Sequence, residues 1–329
     1  MKILLTKIKT SSPVDITQTV SKFTWAGSIE EIARTLDIDV LNAPYDPILS
    51  KLPRPGIGDR LSLIDDAGME RFSGKISASD RASAQGTLTY TATDDGQYLQ
   101  RNNASYSFSK TTAEQIARKV LGEFGVPIGN LAKTGVMIRS MVCKDKSLYD
   151  IIMAAYTQAH RINGKNYMLT TQDGKVCVVE MGTVIAGFVA SDAVNITDSK
   201  YSESSEDIVN TIVIVDSKGR KVGTVSDAES IATYGKYQQI MTQTKGKNAT
   251  LEAKNKIKAS KTPSQSESIT LISDNLDIQA GRAITVYDTA TKLKGLYWIQ
   301  SDSHEVENGI SKITLELDFK KIMSEVDAS

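Results

Sequence analysis

Short stretches in which apolar and polar residues alternate restrict the fold of this chain more than any other feature. Two of them, Arg60–Asp65 and Glu70–Ser79, are separated by a turn at Gly68, and a Thr- and Tyr-rich stretch follows at Thr87–Ala92. In the last such stretch, Ser311–Phe319, the apolar residues occupy every second position: Ile313, Leu315, Leu317 and Phe319. Alternation with a period of two is typical of β-strands that bury one face. The chain is therefore predicted to be mainly β.

The middle of the chain has a different pattern, with apolar residues at helical spacing. A helix is predicted to follow the cap at Thr111–Glu114, with apolar residues on one face: Ile116, Val120, Leu121 and Phe124. A second helix is predicted to begin at Ser147. The Asp173-Gly174 pair then separates two apolar stretches, Asn166–Thr171 and Lys175–Met181, which is a strong hairpin signal.

These patterns predict a mainly β protein with an α+β part, in which two tube-like β-barrel or sandwich modules flank an α+β insertion. The predicted modules are an N-terminal β-barrel at 1–108, the α+β insertion at 109–182, and a C-terminal β module with short helices at 183–329. A length of 329 residues is enough for two or three domains, each with its own core.

Several local predictions accompany this outline. Ser28 with Glu31 has the spacing of a capping box, which predicts a short helix at Ser28–Leu36 after a turn at Ala26-Gly27. The proline-rich segment Asn42–Gly58 is predicted to be an ordered loop. Further along, Thr250–Ala259 is predicted to be helical and Lys261–Ser268 to be a polar turn region.

The composition excludes several classes of protein. Lys and Arg together number 39 and Asp and Glu together also number 39, a balance that argues against a dedicated nucleic-acid binder and favours a chain that functions inside an assembly. The lysine run from Lys245 to Lys261 is interpreted as a solvated face, with a patch for an acidic partner or a channel lining as the alternatives. The sequence has neither a signal peptide nor an apolar stretch of membrane-spanning length, so synthesis and folding in the cytoplasm are expected.

Signals for catalysis are weak. His160 and His304 have no metal ligand at helical spacing and are expected to be surface residues, and Cys143 and Cys177 are expected to be reduced, half-buried thiols. The adjacent acids Asp65-Asp66 and Asp94-Asp95 are interpreted as turn residues that bond to their own backbone. No nucleotide-binding or hydrolase motif is present. No enzymatic activity, cofactor or metal is therefore predicted.

The order of several segments resembles the XkdQ/YqbQ-type baseplate hub proteins of contractile phage tails and phage-tail-like particles, in the late-control D hub family. The segments that carry the resemblance are Gly58–Leu61, Phe72–Gly74, Thr93–Asn102, Tyr106–Phe108, Thr112–Ala117, Ser230–Gln238, Gly281–Ile284 and Gly295–Ile299. They extend over nearly the whole chain, and their order and spacing are more specific than any one of them.

This resemblance implies a structural role. It implies three copies in a ring, whose two β modules per copy give a pseudo-sixfold surface between a sixfold tail tube and a threefold spike. The implied partners are further copies of the chain, a tail tube or tube-initiator protein, the central spike and the baseplate wedge proteins. The chain would be made in a bacterial cytoplasm and carried out in a particle, either a phage, a defective prophage or a phage-tail-like bacteriocin.

Four residues are predicted to lie at interfaces between modules or subunits: Tyr98, Leu99, Tyr234 and Trp298. Ordinary packing within one core is the alternative for such side chains. Two other functions stay open, namely a cell-wall hydrolase and a non-catalytic wall-binding module associated with the spike. The first would need paired acids or a Cys–His site, and the second would need an exposed aromatic platform.

Overall fold

The computed structural model describes residues 1–10, 12–42, 45–48, 51–81, 86–243, 248–320 and 323–328. The chain forms two compact units, one made of Met1–Ser199 with Ser268–Ser329 and the other of Lys200–Glu267. Strands predominate over helices, and a long sheet curls as a half-barrel, so the predicted fold class is confirmed. The predicted module boundaries at 108 and 182 stay a prediction.

The first β core of the larger unit contains seven strands in the sheet order β3-β4-β7-β6-β5-β1-β2, all antiparallel. These strands, β1 to β7, are Lys2–Thr6, Val14–Asp15, Val20–Ser28, Thr35–Leu41, Arg60–Ile64, Glu70–Arg81 and Thr87–Asp94. A 3₁₀ turn at Thr17–Thr19 precedes β3. In β7 every second residue is buried, so Leu88, Tyr90 and Ala92 point into a core that also contains Trp25. Period-two burial is what the alternation predicts.

The α+β part follows β7. Its elements are α1 (Gln97–Arg101), β8 (Asn103–Thr112), α2 (Ala113–Glu123), β9 (Ile128–Leu131), β10 (Met137–Ser147), α3 (Leu148–Asn163), β11 (Tyr167–Gln172) and β12 (Lys175–Glu180). Both predicted helices and the hairpin are confirmed. A capping box between Thr112 and Gln115 starts α2, and the Ser147 hydroxyl accepts the Asp150 N–H at the start of α3. The antiparallel pair of β8 and β10 covers the helices and was not predicted.

The second β core is formed by strands that follow the α+β part. They are β13 (Val184–Ser191), β14 (Ile196–Ser204), β18 (Ser264–Ile272), β19 (Ala283–Tyr287), β20 (Lys294–Glu307) and β21 (Ile310–Asp318). Ile313, Leu315 and Leu317 point into this core from β21, as predicted. Phe319 lies beyond the strand end and is exposed, so its predicted place on the buried face is wrong.

Strand β20 belongs to both β cores. Its first half pairs with β19, from Lys294 to Trp298, and its second half pairs with β3, from Ser301 to Glu307. The change of partner coincides with a register shift between Ile299 and Ser301, where a bulge bends the strand. β21 pairs with β20 on both sides of that shift. One long strand therefore joins the two cores covalently and through its hydrogen bonds.

Three local predictions are wrong. The chain at Ala26-Gly27 continues in β3, and no helix forms at Ser28–Leu36, because the Ser28 hydroxyl accepts the Glu30 N–H in a tight turn and β4 begins at Thr35. Lys261–Ser268 is not only a turn, since β18 starts at Ser264. By contrast, the prediction that 42–58 is a loop holds for the described residues: 42, 45–48 and 51–58 contain no strand and no α-helix, and Pro44 lies outside the described residues.

The smaller unit, Lys200–Glu267, has its own core. It contains β15 (Thr211–Val215), β16 (Lys221–Ser226), α4 (Ala228–Tyr234), β17 (Gln238–Thr242) and α5 (Ala249–Ser260), with the strands in the order β16-β15-β17. The helix predicted at Thr250–Ala259 is confirmed as α5, which the Asn248 side chain caps. Ala249, Ala253 and Ile257, four residues apart, face Ile212 and Ile214 of β15.

Candidate interaction surface

The outer face of the second β core is apolar across three neighbouring strands. The strand register places Val189, Thr285 and Leu296 in one row, and Val184, Ala283 and Trp298 in another. The residues between them, such as Ile284 and Tyr297, point into the core, so side chains in these rows lie on the opposite face. We call this surface the β13–β19–β20 face, formed by Val184, Val189, Tyr287, Leu296 and Trp298.

This face is partly exposed, except at Ala283, which is fully buried within the chain. Val184, Val189, Tyr287 and Leu296 are each between 39% and 49% exposed, and Trp298 is half-buried. Single exposed apolar residues are normal on a protein surface, whereas a group of them on adjacent strands is a candidate binding surface. Two charged residues border these rows: Lys294 pairs with Tyr287 in the register, and Asp318 of β21 pairs with Trp298.

The four residues predicted to lie at interfaces occupy different environments. Tyr98 is 44% exposed on α1, and Tyr234 is 36% exposed at the end of α4. Trp298 lies on the β13–β19–β20 face. Leu99 is fully buried in the core of the α+β part, among side chains of this chain. The role of the four residues in contacts between modules or subunits stays a prediction.

A buried ion pair lies where the two β cores meet. The Arg34 guanidinium binds the Asp302 carboxylate through both oxygens, one of them at 3.0 Å, and lies 4.0 Å from the ring centre of Trp25. The same carboxylate accepts the Ala280 N–H at 2.7 Å. His304 Nε2 lies 2.8 Å from the Ile278 carbonyl oxygen, which can only accept, so this nitrogen carries a proton. His304 is 2% exposed, so its predicted place on the surface is wrong.

Asp94 extends this network to the α+β part. Its carboxylate accepts the Arg34 N–H at 3.1 Å, the Gly96 N–H at 2.8 Å and the Thr171 hydroxyl at 2.5 Å. Burial raises the pKa of Asp94 above its usual value even though these three donors act in the opposite direction. Asp94 bonds its local backbone as predicted, and it also ties the β11–β12 hairpin to the first β core.

The charge on Asp302 is stabilised. Burial alone would raise the pKa of this carboxyl, but the charge of Arg34 and the hydrogen bonds from His304 and Arg34 outweigh burial, and the pKa is lowered. This arrangement holds the strands in place, and Asp302 itself is only 2% exposed.

The described residues contain no cluster of His, Cys, Asp or Glu that could hold a metal ion. Cys143 and Cys177 are unpaired thiols that are fully buried, so the predicted half-burial is wrong, and burial raises the pKa of each. The His160 Nδ1–H donates to the Lys165 carbonyl oxygen, 2.9 Å away. Within the described ranges, no helix has the length and apolar character needed to cross a membrane.

The sequence carries a signal for the β13–β19–β20 face in strand β13. Val184–Ala190 reads Val-Ile-Ala-Gly-Phe-Val-Ala, so both faces of β13 are apolar, although a solvated strand alternates. No local sequence pattern indicates the ion pair of Arg34 with Asp302, because the two residues are 268 positions apart.

The fold is that of phage tail proteins. The 43 kDa tail protein of prophage MuSo2 from Shewanella oneidensis is similar over 97% of this chain and 98% of its own, with a TM-score of 0.70 and 15% identity. The E. coli c3393 protein, described as a component of the type VI secretion system with structural similarity to the T4 tail proteins gp27 and gp5, matches 96% of this chain and 77% of its own, with a TM-score of 0.52 and 11% identity.

Sequence comparison identifies the family. The YQBQ-like family model matches residues 23–318, and the chain belongs to this family. The uncharacterized protein YqbQ of Bacillus subtilis (strain 168) is 31% identical over 76% of this chain and 78% of its own length. The phage-like element PBSX protein XkdQ of the same strain is 30% identical over 78% of this chain and 81% of its own length. The resemblance noted from the sequence is thereby confirmed.

Proposed function

We propose that the chain is a structural component of a phage-tail-like particle, and specifically its baseplate hub. In this proposal three copies form a ring that joins the tail tube to the central spike through binding alone. The family membership supports a tail role, because a relative of 30% identity is named as a protein of a phage-like element. The fold agrees, since solved structures with the same fold are tail proteins.

In this proposal the two β cores allow a threefold ring to bind a sixfold tail tube. In our proposal the modules 1–108 and 183–329 each supply one tube-like element of the ring, and 109–182 is the insertion between them. The shared strand β20 makes the two cores one continuous sheet, so each copy can present two similar elements at a fixed spacing. A ring of three copies would then offer six elements to a sixfold tube and keep threefold symmetry toward a spike.

The observation that carries the proposal is the apolar β13–β19–β20 face. We infer that a neighbouring copy covers this face in the ring, which would remove Val189, Leu296 and Trp298 from water. Burial of apolar area is the main stabilising term in most protein association. Tyr98 and Tyr234 are further candidates for contacts between copies or with the tube, spike and wedge proteins.

The ring is tested by measuring the solution mass of the purified chain by light scattering, alone and with its candidate spike protein. We expect a trimer, or a complex of three copies with the spike. Leu296→Asp should prevent assembly because it places a charge in the buried contact. Ile310→Asp is the matched control, since Ile310 is also exposed but lies at the β20–β21 turn, outside the β13–β19–β20 face.

Other results would contradict the proposal. A wild-type chain that stays monomeric and does not bind the spike is incompatible with a hub, and assembly of Leu296→Asp like the wild type would reject the β13–β19–β20 face as the contact. Tyr98→Asp tests the α1 contact in the same way. Release of soluble fragments from purified peptidoglycan would show a hydrolase and remove the non-enzymatic role.

A further inference from the structure

Among the described residues, strand β17 leaves one edge of the smaller unit's sheet unpaired. Gln238–Thr242 pairs in parallel with β15 on one side, and in the sheet order β16-β15-β17 it is an outer strand. Four of its five residues are exposed, and Ile240 is 65% exposed. Tyr237 precedes the strand and is also exposed. The edge is therefore accessible along its whole length.

The backbone groups that point away from β15 can be assigned. The Tyr237 carbonyl oxygen accepts the Thr211 N–H, and the Gln243 N–H donates to the Val215 carbonyl oxygen. Because backbone groups alternate in direction along a strand, those of Gln238, Ile240 and Thr242 face outward. Their N–H and C=O groups form a row that can pair with another strand.

This edge lacks the residues that usually block such pairing. Exposed edge strands are normally protected by charged side chains, proline or bulges. The outer strand β14 follows this rule with Asp198, Lys200 and Glu203, whereas Gln238–Thr242 contains no charged residue and no proline. An accessible edge without such protection indicates a site where a partner strand is added.

The surrounding sequence is strongly basic. Residues 236–261 contain only one acidic residue, Glu252, and seven lysines, namely Lys236, Lys245, Lys247, Lys254, Lys256, Lys258 and Lys261. Lys261 pairs with Asp227 at 2.9 Å. Lys236, Lys254, Lys256 and Lys258 have no ion pair with any described residue, and Lys245 and Lys247 lie outside the described residues. The whole chain is neutral, so this excess is local.

We propose that the β17 edge binds an extended acidic segment of a partner protein as an additional strand. The outward backbone groups of Gln238, Ile240 and Thr242 supply the hydrogen bonds of the new ladder. Ile240 supplies an apolar position for a side chain of the incoming strand. The described lysines Lys236, Lys254, Lys256 and Lys258 attract its carboxylates. This partner contact is independent of the proposed hub ring, since it uses only residues of the smaller unit.

The probe is a short synthetic peptide with alternating Val and Thr between two Glu pairs, labelled for fluorescence anisotropy and titrated into the full chain. We expect saturable binding that weakens with added salt. The same peptide with N-methyl groups on alternate residues keeps its charge and side chains but cannot form the ladder. It should bind at least about tenfold more weakly.

Two variants of the chain test the same point from the other side. Ile240→Pro removes an N–H that faces outward, so the bonds to β15 are kept while the edge is blocked. It should weaken binding by about tenfold or more, whereas Ile240→Thr, which keeps the N–H, should lose less. Lys254→Gln with Lys258→Gln should weaken binding and reduce its dependence on salt, and Lys218→Gln, outside the basic segment, is the matched control.

Three outcomes would overturn the proposal. The first is no binding of the parent peptide at about 1 mM. The second is equal binding of the parent and N-methylated peptides, a comparison made on the wild-type chain that does not depend on the folding of Ile240→Pro. The third is tight binding of a single-stranded oligonucleotide that Ile240→Pro leaves unchanged while the acidic peptide binds only weakly. That result would assign the lysines to a nucleic acid.

Discussion

Removal of the charge on Asp302 should destabilise the larger unit strongly. Asp302→Asn keeps the size of the side chain and an oxygen for the Ala280 N–H, but it leaves the Arg34 guanidinium without its counter-charge. The Asp302 side chain is fully buried and that of Arg34 is 11% exposed, so water cannot replace the lost partner. Breaking a buried pair in this way costs about 3–5 kcal/mol of unfolding free energy.

The measurement is urea unfolding followed by tryptophan fluorescence and circular dichroism. Trp25 is one of two tryptophans and lies under Arg34, so its emission reports on this region. A double-mutant cycle with Arg34→Met separates the pair from its surroundings, because the double variant removes both charges and should recover part of the loss. Lys165→Gln, which breaks the surface pair with Glu180, is the control and should leave the midpoint unchanged.

The reasoning would be refuted by a loss below about 1 kcal/mol for Asp302→Asn, the range of a surface pair. It would also be refuted by effects of Arg34→Met and Asp302→Asn that simply add, since residues in one contact should show coupling.

Three further predictions concern pH, packing and thiol reactivity. The pKa of Asp302 is lowered in the folded chain, so its contribution to stability is present above the unfolded pKa of about 4 and is lost as the pH falls through the folded pKa. Urea midpoints measured between about pH 5 and 3 should show this loss of stability, and Asp302→Asn should reduce the pH dependence. Gly27→Ala should lower the thermal midpoint, because a Cβ there would lie 2.4 Å from Arg34 Nη1, whereas Gly122→Ala in α2 meets no atom and should raise it. Both thiols, including Cys143, should react slowly with a thiol reagent at neutral pH until urea unfolds the chain, since burial raises their pKa; rapid reaction of the folded chain would contradict this.

Strands with one buried face could be predicted from the sequence because their signal is local. The alternation in β7 and β21 depends only on neighbouring residues, and the caps at Thr112 and Ser147 are equally local. β8 was missed because its outward positions carry Ser105, Ser107 and Ser109, which do not suggest a strand.

The helix predicted at Ser28–Leu36 shows where local patterns fail. Ile29, Ile32, Ala33 and Leu36 are all buried, as their helical spacing suggested, but they are buried in a turn and the start of β4. Pairing of β4 with β3 and β7 decided the backbone conformation there, and such pairing overrides local propensity.

For the predicted interface residues, too, the sequence indicates the residue type but not the environment of the side chain. Tyr98 and Leu99 are adjacent on the short helix α1, so one side chain points outward and the other into the core, and the sequence could not assign which. Trp298 could be named from its type, but the row that makes it part of a surface required the register of β13 and β19. The Arg34–Asp302 pair needed the complete topology.

Strand β20 has a mechanical consequence. A force that pulls the two β cores apart along this strand acts on ladder bonds to β19, β3 and β21 in shear, so many bonds must break together. The bulge between Ile299 and Ser301 is the point where the ladder is interrupted, and we expect the strand to bend there before it extends. We therefore expect the angle between the two β cores to change more easily than the distance between them.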